Sequence, residues 1–439
     1  MTLLSRWAAA AAVYNDRRML AILLMGFSSG LPLLLGFSTL SYWLSTAGID
    51  RTTIGLFAAV STPFALKFLW APLIDHVKLP VMSRAFGRRR GWALSVQVLL
   101  AGGILLLGTS DPENAPFVMA AYALLVAFLS ASQDIVIDAY RIEVLEENEQ
   151  GAGAAVTQTG YRLGMIVAGA GALALSDFVA WFWVYAAMAS LVVIGMIGVL
   201  IGPEPAVPKA ATEPVGTAQD SRFERIVAWL KRAVIDPFAE FLTRRGWVAI
   251  LLFVLLYKYG DAIAATMTNP FFNEIGFSGV EIGSVTKFFG VFATLFGIFV
   301  GGVLVAKIGV LKALFIGGIL QAVTNLFFAW LAVHGPDLWL LAVVVGVDNF
   351  TGGLGSAAFV AYLSSLCNVA FTGTQYALLT SLMAFGRTLM STGSGWLVDQ
   401  MGWVLFFMST SLMAIPGLLL LIWISRLYPT GQLRPAAAE

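Results

Sequence analysis

One stretch of this sequence decides the fold: Ser130-Ala131-Ser132-Gln133-Asp134-Ile135-Val136-Ile137-Asp138-Ala139-Tyr140-Arg141, which closes a hydrophobic run that begins near Pro116. Ser130, Asp134 and Asp138 recur at i, i+4 spacing, so they lie on one face of an otherwise apolar helix. The run is long enough to cross a bilayer, and at about 1.5 Å per residue Asp134 lies roughly 8 Å from its midpoint. An ionised carboxylate there costs at least about 2.5–3.5 kcal/mol, so we expect it to be paired, protonated or facing a water-filled cavity.

The composition of the whole chain indicates a polytopic membrane protein. Of the 439 residues, 59% are hydrophobic and only 12% are charged, whereas a soluble domain carries about 25% charged residues. The mean hydropathy is +0.84. One cysteine, Cys367, cannot form an intramolecular disulfide, and the two histidines lack ligand spacing. We therefore expect no metal, no cofactor and no enzymatic chemistry, and the sequence has no nucleic-acid-binding pattern.

Hydrophobic runs separated by Gly, Pro or charged residues predict twelve membrane-spanning helices in two sets of six, with boundaries good to about four residues. The fold class predicted is therefore an all-α polytopic membrane protein built from two six-helix bundles. The runs lie near 19–46, 53–75, 92–110, 116–141, 154–176, 181–202, 246–272, 280–306, 310–333, 338–366, 373–398 and 402–427. We number these spans 1 to 12.

A long polar segment separates the two sets of spans. We predict an N-terminal bundle over 1–203, a cytoplasmic linker over 204–245, a C-terminal bundle over 246–428 and a cytoplasmic tail over 429–439. The linker opens with several prolines and then has the pattern of an amphipathic helix at the membrane surface. Its apolar positions are Phe223, Ile226, Val227 and Leu230, and its basic positions are Arg222, Arg225, Lys231 and Arg232.

Basic residues are unequally divided between the two sides of the predicted membrane. With the N-terminus inside, the cytoplasmic segments hold the cluster at 84–90 and the basic linker, whereas the opposite side holds only Arg51. Because cytoplasmic loops are enriched in Lys and Arg, both termini are predicted to be cytoplasmic.

Short matches between the two sets of spans indicate an internal duplication. Arg17-Arg18 matches Arg244-Arg245 at an offset of 227, and Gly160-Tyr161-Arg162 has a counterpart in Phe385-Gly386-Arg387. A six-plus-six duplication resembles the plan of major-facilitator transporters, in which the substrate site lies between the halves near the midplane.

Charged residues inside the predicted spans include more bases than acids. Basic groups lining a low-dielectric cavity attract carboxylate or phosphate, and Arg offers a planar fork suited to either. Alternatively, the charges pair with one another and only fix helix packing. We expect Asp134, Arg162 and Lys67 at the same depth in the membrane. A permanent salt bridge between Asp134 and Arg162 would be one such pairing. The bases are Lys67, Arg162, Lys258, Lys287 and Arg387, and the acids are Asp134, Asp261 and Asp348.

The segment after span 2 joins an acid to a basic turn. Ala71-Pro72-Leu73-Ile74-Asp75 is followed by Gly87-Arg88-Arg89-Arg90-Gly91 before span 3. This resembles a variant of the major-facilitator loop between spans two and three, which latches the two halves. The alternative is a plain positive-inside anchor. The gating residues expected at this membrane edge are Asp75, Arg88, Arg89, Asp138 and Arg141.

Spans 1 and 7, which correspond in the duplication, both carry residues that are unusual in a membrane helix. In span 1, Gly26-Phe27-Ser28-Ser29-Gly30-Leu31-Pro32 indicates either a helix loosened where it faces a cavity or close helix packing by small residues. In span 7, Lys258-Tyr259-Gly260-Asp261 favours the cavity. Span 10 adds Asp348 and Asn349 near mid-depth.

These residues closely resemble the AmpG-type muropeptide permease family of the major facilitator superfamily. The resemblance implies import of anhydro-muropeptides, peptidoglycan fragments with an acidic peptide stem, from periplasm to cytoplasm for cell-wall recycling. The resemblance further implies that transport is driven by the proton gradient across the bacterial inner membrane. We also expect the protein to be a monomer surrounded by membrane lipid. The alternatives are import of another anionic solute, such as a siderophore or acyl-CoA-like molecule, and a transport-inactive sensor. The blocks that carry the resemblance are 26–34, 67–72, 87–92, 130–140, 160–165, 257–261 and 349–360.

The site residues expected from the charge pattern and this resemblance fall into two groups besides the gate. Proton coupling is assigned to Asp134, with Asp261 and Asp348 as further candidates. Asp134 is placed first because burial and a nearby cation act in opposite directions on its protonation, so a change in that neighbour between conformations would couple proton binding to movement. The substrate-binding residues expected are Arg162, Lys258, Arg387, Lys67, Lys287, Gln133, Asn349 and Ser29.

Overall fold

The structure is a computed structural model, and it describes residues 12–50, 53, 57–206, 223, 224, 228 and 231–428. The secondary structure of these residues is helical, and no strand is present among them. Nine helical stretches of the described residues are long and apolar enough to cross a membrane. The remaining three predicted spans are present as interrupted or more polar helices. The all-α polytopic fold predicted from the sequence is confirmed.

The N-terminal half contains spans 1 to 6. Span 1 is Arg17–Gly36 followed by Ser38–Thr46; span 2 is the interrupted series Phe57–Ser61, Thr62–Leu66, Lys67–Leu69 and Ala71–His76; span 3 is Arg88–Gly108; span 4 is Pro116–Val144; span 5 is Gln150–Ile166 continued by Val167–Gly171 and Ala172–Ser176; and span 6 is Trp181–Ile201.

The C-terminal half repeats this arrangement after a short helix, Asp236–Thr243. Gly402, at φ 70°, forms the turn between spans 11 and 12. Span 7 is Trp247–Leu256 and Tyr259–Glu274; span 8 is Gly279–Gly283, Ser284–Phe289 and Gly290–Ile308; span 9 is Val310–His334; span 10 is Leu338–Ser365; span 11 is Thr372–Ser391 with the first part of Ser394–Leu412; and span 12 is the rest of Ser394–Leu412 with Ile415–Leu427.

The basic turn predicted before span 3 belongs to the helix itself. Span 3 begins at Arg88, after Gly87 at φ +94°, a value that favours glycine. Cations at a helix N-terminus are unfavourable, and free backbone N–H groups there need acceptors. Glu204 supplies both a charge and acceptors, because its carboxylate accepts from the backbone N–H groups of Arg89 at 2.9 Å and Arg90 at 3.1 Å.

Small residues bring spans 1 and 5 into backbone contact. A Cβ added at Gly30 would overlap the Tyr161 carbonyl oxygen, and one at Gly160 would overlap that of Leu23. Span 1 is a continuous helix through residues 26–32 and breaks only at Phe37. The prediction of a loosened helix over 26–32 is therefore wrong. The structure shows the alternative, close helix packing by small residues.

Span 7 is interrupted at Lys258, which the sequence analysis did not predict. Its first helix ends at Leu256, and the second begins at Tyr259, with Lys258 between them at φ −106° and ψ 18°. The interruption aims the Lys258 side chain at the space between the two halves. Only Phe223, Glu224, Ala228 and the backbone from Lys231 onward are described in the proposed amphipathic helix, so most of that prediction lies outside the described residues.

Among the described residues, hydrophobic clusters join the two halves at one end, which we call the closed end, and not at the other, the separated end. Hydrophobic clusters that combine residues of both halves include Ile142 with Leu366, and Ala155 with Ile298. At the opposite end each half has a cluster of its own, around Trp43 in one and around Phe277 in the other. The closed end is the one that the basic residues predict to be cytoplasmic; this orientation stays a prediction, as do the domain boundaries.

Candidate functional site

A cavity of about 530 Å³ lies between the halves, lined mainly by spans 7 to 11. It extends from Lys258 to Phe272, toward the end where the halves are separate. Span 5 contributes Arg162 from the other half. The predicted site residues on its wall are Arg162, Lys258, Asp261, Asp348, Asn349 and Arg387.

Two arginines, one from each half, line this cavity. Arg162 comes from span 5 and Arg387 from span 11, the pair that the internal duplication relates. Within the described residues, neither guanidinium forms an ion pair with a carboxylate. A guanidinium without an acidic partner in a low-dielectric cavity attracts an anion, and its fork fits a carboxylate.

Lys258 is engaged within the protein. Its ammonium donates a hydrogen bond to Ser356 Oγ at 2.8 Å and interacts electrostatically with Asp261 and Asp348. Its charge is thus balanced by the chain's own acids, unlike that of Arg162. The three residues form one charged cluster on the wall of the cavity.

The predicted layer of Asp134, Arg162 and Lys67 is only partly formed. Lys67 is buried and interacts electrostatically with Asp134, whose carboxylate accepts from Ser29 Oγ at 2.5 Å. Arg162 forms no ion pair with Asp134 in the described structure. Span 5 begins at Gln150, about one turn before the predicted start, so Arg162 lies farther from that end than expected and reaches the cavity instead.

Other predicted substrate contacts have partners inside the protein. Asn349 accepts from Thr294 Oγ1 at 2.9 Å and donates to the Val345 carbonyl at 2.9 Å. Gln133 is fully buried in the N-terminal half and exchanges hydrogen bonds with Ser28. The side chain of Lys287 lies outside the described structure. Substrate roles for these residues, and for Ser29, stay predictions.

Asp75 connects the two halves at their closed end. Arg89 donates to its carboxylate at 2.7 Å from the same half. From the other half, the backbone N–H groups of Gly373 and Thr374 donate at 3.2 and 2.7 Å, and Thr374 Oγ1 donates at 2.7 Å. These groups begin span 11, where a helix N-terminus favours negative charge. Asp75 is therefore placed to hold this end shut.

Glu143, at the end of span 4, completes the gate and was missed in the sequence. It forms ion pairs with Arg89 at 2.5 Å and with Arg88 at 3.0 Å. Both arginines are buried, so the two acids offset charges that would be costly alone. The signal available was an acid two residues after Arg141, at the membrane edge where the basic cluster also lies.

Arg141 makes a second contact across the closed end. It is fully buried and donates to Ser364 Oγ in span 10 at 2.9 Å, and its guanidinium lies 5.4 Å from the Tyr376 ring centroid. The Asp138 carboxylate is 3.5 Å away on the same helix. Both predicted residues thus lie between the halves.

Uncharged polar residues of span 9 were also missed. Gln321, Thr324 and Asn325 share one face of this apolar helix, and Gln321 and Asn325 line the cavity. The signal available was their i, i+3, i+4 spacing in an otherwise hydrophobic run.

Comparisons with known proteins agree with this architecture. The sequence matches the family model of the Major Facilitator Superfamily over residues 18–260 and 254–439. It is similar in fold to the major facilitator transporter FucP in its outward conformation, with a TM-score of 0.68 and 12% identity over 93% of this chain and 99% of that one.

Two relatives are more similar in sequence. The anhydromuropeptide permease of Escherichia coli is 40% identical over 412 residues, a match covering 93% of this chain and 80% of that protein. The putative transporter AmpG 4 of Rickettsia conorii is 34% identical over 415 residues, covering 94% and 98%. These relatives are transporters and not enzymes. The chain belongs to the AmpG-type permease family of the major facilitator superfamily.

Proposed function

We propose that this protein imports anhydro-muropeptides from the periplasm to the cytoplasm by proton-coupled alternating access. The observation that carries the proposal is the arginine pair, Arg162 and Arg387, contributed by both halves to one cavity without acidic partners among the described residues. The cargo of the Escherichia coli relative, by its printed name, is an anhydromuropeptide. The acidic peptide stem of such a cargo offers the carboxylates that two guanidinium groups bind well.

An anion held by both arginines would join the two halves at the level of the cavity. The closed end is held by Asp75 and Arg141, while the cavity reaches toward the separated end. Cargo entering there would draw the arginines, and with them the halves, together. Closure on that side then favours release of the contacts at Asp75, which is the rocking movement of alternating access.

Proton coupling is proposed for Asp134. It lies beside Ser29 and Lys67, in the half of the protein opposite most of the cavity wall. A carboxyl group whose cationic neighbour moves between conformations changes its proton affinity, and this couples the gradient to movement. Asp261 and Asp348 are the next candidates, since both line the cavity near Lys258.

Uptake by proteoliposomes containing the full chain tests the function. Labelled anhydro-muropeptide should accumulate inside when the outer solution is more acidic, and a protonophore should abolish the accumulation. Unlabelled siderophore and acyl-CoA serve as competitors. Absence of muropeptide uptake, or stronger competition by either of these solutes than by unlabelled muropeptide, would contradict the proposal and favour the alternative of another anionic cargo.

A further inference from the structure

Two buried amide side chains of span 9 have polar atoms without a hydrogen-bond partner. Gln321 is 5% exposed and Asn325 is 2% exposed. The acceptor Gln321 Oε1 and the donor Asn325 Nδ2 have no partner in the structure. Both side chains line the cavity between the halves. They lie one turn apart on the same helix face, so their free atoms belong to one region of the wall.

Room for Gln321 is made by a glycine of the neighbouring span 10. A Cβ added at Gly355 would lie 2.7 Å from Gln321 Oε1, too close for an ordinary contact. Two other polar pairs on the same wall are satisfied, since Thr294 bonds Asn349 and Ser356 bonds Lys258. Gln321 and Asn325 differ from these pairs in that each keeps an unpaired atom on the cavity wall.

A buried polar atom without a partner costs about 1–3 kcal/mol, and such atoms are rare unless a ligand or water completes them. Here one atom needs a donor and the other an acceptor. A carboxylate has no hydrogen for Gln321 Oε1, and an ammonium has no lone pair for Asn325 Nδ2. A neutral group that both donates and accepts satisfies the two together.

An acetamido group has this chemistry, because its N–H donates, its carbonyl accepts and its methyl is apolar. Phe328 lies one turn beyond Asn325, lines the same cavity and is buried, so it offers the apolar contact that a methyl needs. The sugars of peptidoglycan carry acetamido groups at C2. Resting on the proposed function, we infer that Gln321 and Asn325 form a subsite for an acetamido group of the cargo's sugar.

This subsite divides the recognition of the cargo between two kinds of contact. The arginines, Arg162 and Arg387, take the acidic peptide stem, and span 9 takes the neutral sugar. A cargo that lacks the acetamido group leaves the two amide atoms unpaired and loses affinity, even when its carboxylates are unchanged.

The test compares equilibrium binding of two labelled cargoes to the full chain in lipid nanodiscs. One is an anhydro-muropeptide, and the other is its analogue with hydrogen in place of the acetamido groups, which can neither donate nor accept there. The native protein should bind the acetamido cargo about tenfold more tightly. Gln321→Leu and Asn325→Leu should each reduce this preference to about twofold or less, while affinity for the deoxy analogue changes little. Asn325→Asp, which removes the donor at nearly unchanged volume, provides a second variant where a leucine prevents folding.

Gln97→Leu is the matched control. Gln97 is also a fully buried glutamine, with both amide atoms unpaired, but it lies in span 3 away from the cavity lining. Its variant should keep the tenfold preference. The inference is overturned if the native protein binds both cargoes equally or prefers the deoxy analogue, or if the span 9 variants keep the native preference. Should the native protein bind neither cargo, the proposed function itself fails, and the subsite with it.

Discussion

At the scale of single residues, the intramembrane cations differ in what surrounds them. Lys258 has acids of its own half beside it, whereas Arg162 and Arg387 have no carboxylate partner in the described part of the chain. A substrate anion is the partner that the arginines lack, so their loss should affect binding more than folding.

We predict that Arg162→Gln and Arg387→Gln each lower uptake of an acidic muropeptide at least tenfold, since a hydrogen bond to a charged group is worth about 1.5–3 kcal/mol. Initial rates in proteoliposomes, normalised to protein content, measure the effect. Arg426→Gln, at the exposed end of span 12, is the control and should transport normally. Unchanged uptake by both cavity variants would remove the arginines from the site.

Asp134 can be tested by a substitution that preserves its shape. Asp134→Asn keeps an oxygen to accept from Ser29 but can no longer titrate. We predict that the variant loses accumulation against a gradient, while exchange of cargo across the membrane continues. Asp177→Asn, at an exposed acid just after span 5, is the control and should still accumulate cargo. If Asp134→Asn accumulates cargo in a pH-dependent way, the proton carrier lies elsewhere, and Asp261 and Asp348 are next to examine.

Two kinds of residue escaped prediction, each for its own physical reason. Charged groups are conspicuous in a membrane span because burying them is so costly, which is why depth alone identified Arg162, Asp261 and Arg387. Burying an amide costs less than burying a charge, so Gln321 and Asn325 are weaker signals of a site among their hydrophobic neighbours. The partner of a buried group, such as Glu143 for Arg89, depends on which helices adjoin, and spacing along one helix does not contain that information.

At the scale of elements, hydrophobic runs located the spans because the bilayer sets the length of each helix. The ends were less accurate where polar residues continue a helix past the apolar core, as at Arg88 and Gln150. Whether a membrane helix is interrupted at a proline, glycine or charged residue depends on the helices packed around it. Pro32 is accommodated inside span 1, while the break at Lys258 is real, so the residue types alone do not decide whether a helix breaks.

The contact between spans 1 and 5 gives a prediction at this scale. Gly30→Ala should destabilise the protein by about 1–3 kcal/mol, because the new methyl overlaps the Tyr161 backbone and the helices must move apart. A lower apparent Tm in detergent would show it. Gly36→Ala in the same helix meets nothing within 4 Å and should leave the Tm nearly unchanged. Equal Tm values for the two variants would mean that the helices adapt without strain.

At the scale of the whole molecule, the duplication is visible in matched contacts. At the start of span 1, Arg18 bonds Asp16 and reaches Glu149 at the start of span 5, at 2.6 and 2.7 Å. The bond from the Arg18 guanidinium holds the pKa of Asp16 below its usual range. In the other half, Arg244 bonds Glu240 at 2.7 Å and reaches Gln375 at the start of span 11 at 3.5 Å. Each half thus ties the start of its first span to the start of its fifth through an arginine, although Arg18 and Arg244 differ by one position in the repeat.

The gate gives a prediction for the relative movement of the halves. Cys367, the single cysteine, is fully buried between spans 10 and 11, beside the segment that bonds Asp75. Asp75→Asn removes the charge that the span 11 N-terminus favours, so the closed end should open more often. We predict that a maleimide then labels Cys367 at least about tenfold faster, in line with the loss of a charge-assisted hydrogen bond.

The control for this measurement is Asp16→Asn. Asp16 is an acid at the same membrane edge whose side chain bonds Arg18 of its own half. Labelling of Cys367 in this variant should match that of the native protein. If Asp75→Asn is also labelled at the native rate, Asp75 does not control the closed end.

The contacts of Asp75 with span 11 have a further consequence for how the protein moves in time. Three donors from the opposite half meet one carboxylate at 2.7 to 3.2 Å, and hydrogen bonds weaken steeply beyond about 3.5 Å. A separation of roughly one ångström therefore breaks all three together, and a half-open end retains almost none of their stabilisation. Single molecules followed by fluorescence energy transfer between the halves should switch abruptly between two levels, with long dwells in each and no gradual drift.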